Sequence, residues 1–500
     1  MRVLTTMAIL MASTSLAFAA SNESFIVQIG ASNGAISSQT NGHNKQLTVQ
    51  AGKHNFAVTS QTNSATGSNS NKSGTFQFGI GNAALVGQNG GHNKQGTLQV
   101  GIGNGAITGQ NTNADGGRND AHTAQFGVEN HSLTAQNSTG VHNGGQGGDN
   151  DSRLLQIGYG NTALIGQNSA GSGNGNSARS GVDNDSAVVQ FGGKNFAAVW
   201  QDGTRAGTTP NTASNDSFVG QFGWANAALV GQTGGNNGQA TLQFGAHNFA
   251  ATGQNATDHG ETNSAFTLQG GYGNGALTAQ NSDGTHSSTG RDNNAATLQF
   301  GSGNGAITAQ NSTGKNGLPG VENNALTLQV GKGNFAVTSQ SGTSNGTNFW
   351  SGSNDSLVAQ FGKDNGALVS QTNGGNAQAT LQAGYKNFAA TGQSNTGTAL
   401  FGQNASLTVQ AGAKNVALTS QKIANPLGFN GSLIAQIGYK NTAVAAQTGI
   451  QPMIGANLQG TLQVGNGNLA VTSQVASASV SNTSFTAQFG SYNKAITVQH

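Results

Sequence analysis

Polar and apolar residues alternate along this chain in short stretches separated by Gly- and Asn-containing turns, with one fixed spacing throughout. The unit reads Asn, five residues, Gln, one residue, Gly, two residues, Asn, one residue, Ala, three residues, Gln. Its first instance is Asn22, Gln28, Gly30, Asn33, Ala35, Gln39, and its second is Asn44, Gln50, Gly52, Asn55, Ala57, Gln61. A central one is Asn215, Gln221, Gly223, Asn226, Ala228, Gln232, and the last is Asn482, Gln488, Gly490, Asn493, Ala495, Gln499. The spacing recurs 18 times, and the one departure among these anchors is Ser132 in place of Ala. Units never gain or lose a residue; all length variation lies between them, from four residues (40–43) to sixteen (168–183). A rigid repeating rung joined by tolerant surface loops produces that pattern.

Period-two alternation predicts strands, and each unit holds two. In the first they are 24–29 and 34–39, separated by Gly30-Ala31-Ser32-Asn33, where Gly and Asn tolerate the left-handed angles a tight arc needs. The predicted fold is all-β: a parallel β-solenoid of 18 strand-turn-strand rungs over 22–499, cross-β in character. Rungs stack ~4.8 Å apart, so the stack should run on the order of 85 Å.

Successive strand residues face opposite sides. One parity holds the Asn, Gln and Ala anchors plus two columns of Thr, Val or Ile, such as Thr48, Thr75 and Thr97 before the leading Gln and Thr59, Thr108 and Val199 after the Ala. These two columns change together: Val188 with Val199, Val219 with Val230, Val358 with Val369. No charge falls on this parity, whereas the other carries Arg153, His122, His131, Lys494 and Trp200. The Asn/Gln/Ala/Thr parity is therefore assigned to the interior. A buried amide is costly when unpaired, but identical rungs let each amide bond to its copies above and below. The structural ladder expected is Gln28, Asn33, Ala35, Gln39 and their equivalents, with turns at Gly30, Gly52, Gly223 and Gly490. The opposite face, with Leu98, Phe126, Phe191, Phe222, Phe244 and Phe300, is too apolar for an ordinary wet surface.

Composition fits this reading. Only 7% of the residues are charged and 79 are Gly, against about 25% charge in ordinary globular domains. A net charge of +2, spread along the chain, gives no basic patch for nucleic acid. Charges gather at turns, as at Lys53, Lys194, Lys363 and Lys440 in the tight arcs and Asp151, Asp185 and Asp216 beside the leading Asn; they are solvated loop residues or gatekeepers that tune aggregation. There is no Cys, which excludes disulfides, thiolate metal sites and thiol nucleophiles. Met1-Arg2, an apolar run through Phe18 and Ala17-Phe18-Ala19 read as a secretory signal peptide over 1–19, leaving 20–500 as the repeat domain. The run is short of the ~20 apolar residues a membrane span needs.

The Gln-x-Gly-x-x-Asn-x-Ala-x-x-x-Gln core resembles the curlin repeat of bacterial curli subunits, and the resemblance covers essentially all of 22–499. It implies a β-solenoid subunit that polymerises into extracellular amyloid fibres on the bacterial surface and in biofilm matrix. The partners it implies are further copies of itself, a nucleator subunit and an outer-membrane secretion pore. The chain departs from that family in opening its repeats with Asn rather than Ser, in carrying many more of them, and in starting its first rung close behind the cleavage site.

No catalytic constellation or cofactor site emerges, and the expectation is that this is not an enzyme. The ten histidines occupy no fixed strand column, with His43, His92 and His142 in loops. Gly101-Ile102-Gly103 falls in a rung turn rather than between a strand and a helix, the place a nucleotide loop requires. Asp149-Asn150-Asp151 lacks the repeated Asp spacing of calcium-binding β-rolls. Two alternatives accompany the fibre reading: a monomeric solenoid adhesin with capped ends, and an ice-binding solenoid presenting Thr48, Thr75 and Thr97 outward. Neither end of the sequence shows a helix, a proline or a charged covering segment, so the expectation is polymerisation through open ends.

Overall fold

The computed structural model describes residues 22–500 apart from 64–69, 114–116, 141–146, 173–181, 204, 207–213, 257–261, 285–291, 315–319, 344–351, 396–401, 425–427, 451–454 and 478–480. The signal-peptide assignment over 1–19 lies outside the described residues.

The fold is an all-β parallel solenoid. The leading strands of the 18 units, from Glu23–Ala31 to Asn482–Ser491, form one sheet, and the trailing strands, from Gly34–Thr40 to Lys494–Gln499, form the other. Every pairing is parallel and in repeat register: Gln28 opposes Gln50 and Gln39 opposes Gln61 at one end, Gln463 opposes Gln488 and Gln474 opposes Gln499 at the other. Insertions between units leave this register untouched, because a one-residue slip would turn every inward side chain outward. A two-residue strand, Arg205–Ala206, pairs with Gly171 and Ser172 beyond the rungs. Among the described residues the first and last strands of each sheet pair on one side only, so each sheet is an open line and neither closes on itself.

The arc between the two strands turns on two left-handed residues. Gly30 has φ 116° and Ser32 φ 57°, and every later rung repeats the pair, as in Gly52 with His54 and Gly223 with Ala225. Asn33 is not left-handed, so the arc's second turning residue is Ser32 and not the Asn that the sequence suggested. The Gly is required for space as well as angle. A Cβ on Gly30 would sit 1.9 Å from the carbonyl oxygen of Gly52 in the next rung, and one on Gly223 would sit 2.0 Å from that of Gly245.

The core lies between the sheets and is as predicted by parity. Gln50, Asn55 and Gln61 are fully buried, as are Gln221, Asn226 and Gln232. The paired columns meet across it: Val188, Val199, Val219 and Val230 join Leu154 and Ile165 in one apolar cluster, and Val358 and Val369 share another. Thr48, Thr75 and Thr97 are buried, which removes the outward Thr face that ice binding required.

The assignment fails at the two end rungs. Gln28 and Asn493 are exposed, and Asn33, Ala35, Gln39 and Gln499 are only half-buried, while Gln488 is buried. The physical reason is that burial of these side chains comes from the rung stacked over them, and the first and eighteenth rungs each have a neighbour on one side only.

Candidate functional site

The candidate site is the set of amide columns and the two edges where they end. The leading Gln of each rung donates from Nε2 to Oε1 of the leading Gln in the following rung, at 2.7–2.8 Å from Gln28 through Gln488. The trailing Gln column does the same from Gln39 through Gln499, at 2.7–2.9 Å.

The Asn columns run the other way. Each arc Asn donates from Nδ2 to Oδ1 of the arc Asn in the preceding rung, at 3.0–3.2 Å from Asn55 through Asn493. The leading Asn column repeats this at 2.8–3.0 Å from Asn44 through Asn482.

The backbone sets these directions. Nε2 of Gln50 also donates to the carbonyl of Gly34, and Nε2 of Gln221 to that of Phe196; a carbonyl only accepts, so the nitrogen must face it. Conversely, Oδ1 of Asn33 accepts from the backbone N–H of Asn55, and Oδ1 of Asn195 from that of Asn226. Two columns therefore point their donors toward the last rung and two toward the first, so their dipoles oppose while each hydrogen bond in a column polarises the next.

A fifth column of amides was not marked out by the repeat. Two residues before the Thr/Val position the interior holds Gln46, Gln95, Gln239, Gln378 and Gln459, all buried. Each accepts from a Ser in the preceding rung, as in Ser73 to Gln95 at 2.8 Å and Ser217 to Gln239 at 3.0 Å. Each also donates to the Thr two residues on, as Gln95 does to Thr97. The signal was present in the shared parity and the absence of charge; what hid it was the mixture of Ser, Ala and Gln. Not every buried polar atom is satisfied. The Oγ of Ser132 and the Oγ1 of Thr59, Thr252 and Thr338 have no hydrogen-bond partner among the described residues.

The outer faces carry the apolar side chains singled out from sequence. Phe191, Phe222 and Phe244 stack at centroid distances of 5.3 and 5.0 Å, and Phe244 and Phe300 are exposed. Leu98 and Phe126 are half-buried. In the tight arcs Lys363 and Lys386 both lie over the Tyr385 ring, at 5.6 and 5.0 Å. On the opposite margin Asp120, Asp151, Asp185 and Asp216 stand in register on successive rungs. Burial pushes the Asp185 carboxyl above the usual carboxylate range, and the Asp151, Asp216 and Asp183 charges push it the same way. Burial raises Asp120 too, but His122 at 3.1 Å and Lys94 at 3.3 Å outweigh it and hold that carboxyl low. Among the described residues no group of three or more His, Asp or Glu is placed to hold a metal ion, and no helix is long and apolar enough to cross a membrane.

No protein-family model matches the chain, and no curated protein matches it.

Proposed function

We propose that this protein is a secreted structural subunit that polymerises, rung on rung, into extracellular amyloid-type fibres, as its likeness to the curlin repeat implies. A repetitive β-solenoid fits a structural or adhesin-like protein, and a role in adhesion and biofilm matrix follows from the fibre reading. The role is structural rather than catalytic. Its partners are further copies of the same chain, with a nucleator subunit and an outer-membrane secretion pore as the helpers the resemblance suggests.

One observation carries the reading. Both sheets end, at both described edges, in strands with one free side, and the two edges present the same Asn, Gln, Gly and Ala columns. Unpaired strand edges template further strands, and a contact that joins unlike ends without closing makes filaments. The test is to incubate purified chain spanning 20–500 and follow it by thioflavin fluorescence and electron microscopy. Unbranched fibres with a rise in fluorescence are expected. A folded, β-rich chain that stays dispersed would overturn the fibre reading in favour of a monomeric adhesin.

A further inference from the structure

The two edges are not copies of one another in hydrogen-bonding terms. At the last rung, Nε2 of Gln488 spends one bond on the Leu469 carbonyl and Nε2 of Gln499 one on the Thr483 carbonyl. Each amide nitrogen has two N–H groups, so one from each is left to point past the edge. Beside them, Oδ1 of Asn493 lacks, among the described residues, the pair of donors, backbone N–H and Nδ2, that Oδ1 of Asn468 receives from Asn493 itself. At the first rung the complement appears. Gln28 and Gln39 donate inward to Gln50 and Gln61, and their Oε1 atoms have no preceding Gln to accept from.

The glycine of the arc shows the same direction. In the rungs from Gly30 through Gly465 a Cβ would strike the carbonyl of the following rung's Gly within about 2 Å, whereas on Gly490 it would meet only the Asn493 Nδ2 at 3.8 Å. The space beyond Gly490 is shaped for another rung carrying a Gly in Gly30's place.

Resting on the fibre reading above, we infer that the joint between copies is one-way: the edge bearing Gln488 and Gln499 receives only the edge bearing Gln28 and Gln39 of a second copy. In that arrangement the free N–H groups meet the free Oε1 atoms, Oδ1 of Asn493 receives the N–H and Nδ2 of Asn33, and all columns continue in repeat register. Turning one copy over reverses its strands, takes the amide columns out of register, and sets donor against donor wherever two Gln tips meet. A buried donor without an acceptor is costly, so the turned joint is rejected and the fibre has a single polarity.

The experiment blocks one edge at a time. A folded globular domain is fused ahead of Asn22 in one full chain and after His500 in another, and each is examined alone and mixed in equal amounts by analytical ultracentrifugation. Each alone is expected to sediment as a single chain, and the mixture as a two-chain species that grows no further. A second variant, Gly490→Ala in the unfused chain, strains the positive φ of the last arc alone, so it should keep the β-content of the other rungs, fail to elongate alone, and stop wild-type fibre growth when added at low ratio. A two-chain species from either fusion alone would overturn the one-way joint, as would a mixture that stays monomeric while the unfused chain makes fibres. Absence of fibres from the unfused wild-type chain would instead overturn the function proposed above, and this joint with it.

Discussion

Gln190 donates from Nε2 to Oε1 of Gln221 at 2.8 Å, and Gln221 hands on the same bond to Gln243, so one side chain closes two links of the column. Replacing Gln221 with Leu keeps much of the volume but orphans the Gln190 donor and the Gln243 acceptor in a fully buried site. Each buried orphan costs about 1–3 kcal/mol. Gln221→Leu should therefore destabilise the fold by about 2–6 kcal/mol in chemical denaturation and slow assembly. Lys363→Ala removes an exposed ammonium over the Tyr385 ring and should stay within about 0.5 kcal/mol of wild type. Equal effects of the two substitutions would contradict the buried-amide account.

Ser132 is the one anchor position that breaks the Ala column, and its buried hydroxyl is unpartnered. Thr338 buries an unpartnered hydroxyl in a column where other rungs use Val, as at Val199 and Val369. Ser132→Ala and Thr338→Val should each raise stability by about 1 kcal/mol, read as a higher unfolding midpoint with an unchanged denaturant slope. A lowered midpoint for both would mean that the hydroxyls are paired.

The stacked carboxylates make a pH prediction. Burial and the neighbouring Asp151, Asp216 and Asp183 charges raise Asp185 above its ordinary value of 3.8. A carboxyl raised in the folded state supports the fold while it is protonated, and that support is lost as pH climbs through the raised value. Asp185→Asn removes the penalty, so its thermal midpoint should exceed wild type at pH 7 and converge with it near pH 3. Asp120 has the opposite sign: held low by His122 and Lys94, it contributes stability above the ordinary carboxylate range that is lost on acidification. Asp120→Asn should lower the midpoint at pH 7, and a gain there would refute the assignment.

What could be read from the sequence was whatever repeats as residue identity. The invariant Gln50, Asn55 and Gln61 columns, the inward parity and the Val188–Val199 pairing are encoded in spacing alone, because period two fixes the face and strict repetition fixes the register. Three features were not readable for separate reasons. Gln46 and its equivalents alternate with Ser and Ala, so no single residue marks their column. The left-handed site at Ser32 is Gly in some rungs, as at Gly81 and Gly103, but His54, Ala225 or Lys386 in others, so no single residue type marks it. The direction of the ladders is set by which backbone carbonyl or N–H faces each amide, and a column of identical residues carries no arrow of its own. The exposure of Gln28 and Asn493 has a simpler cause: a repeat seen in sequence looks the same at its ends as in its middle, but burial by stacking does not.

Each copy contributes a stack of 18 rungs, and in the fibre proposed above the copies join as one continued stack, all facing the same way. Electron cryomicroscopy of fibres grown from the purified chain measures this directly, since the irregular inter-rung segments mark each copy along the fibre. The account predicts a rung spacing of ~4.8 Å and an axial repeat of about 86 Å, one copy long and with a single polarity. A repeat of roughly twice that length from alternating orientations, or strands paired antiparallel across the joint, would contradict it.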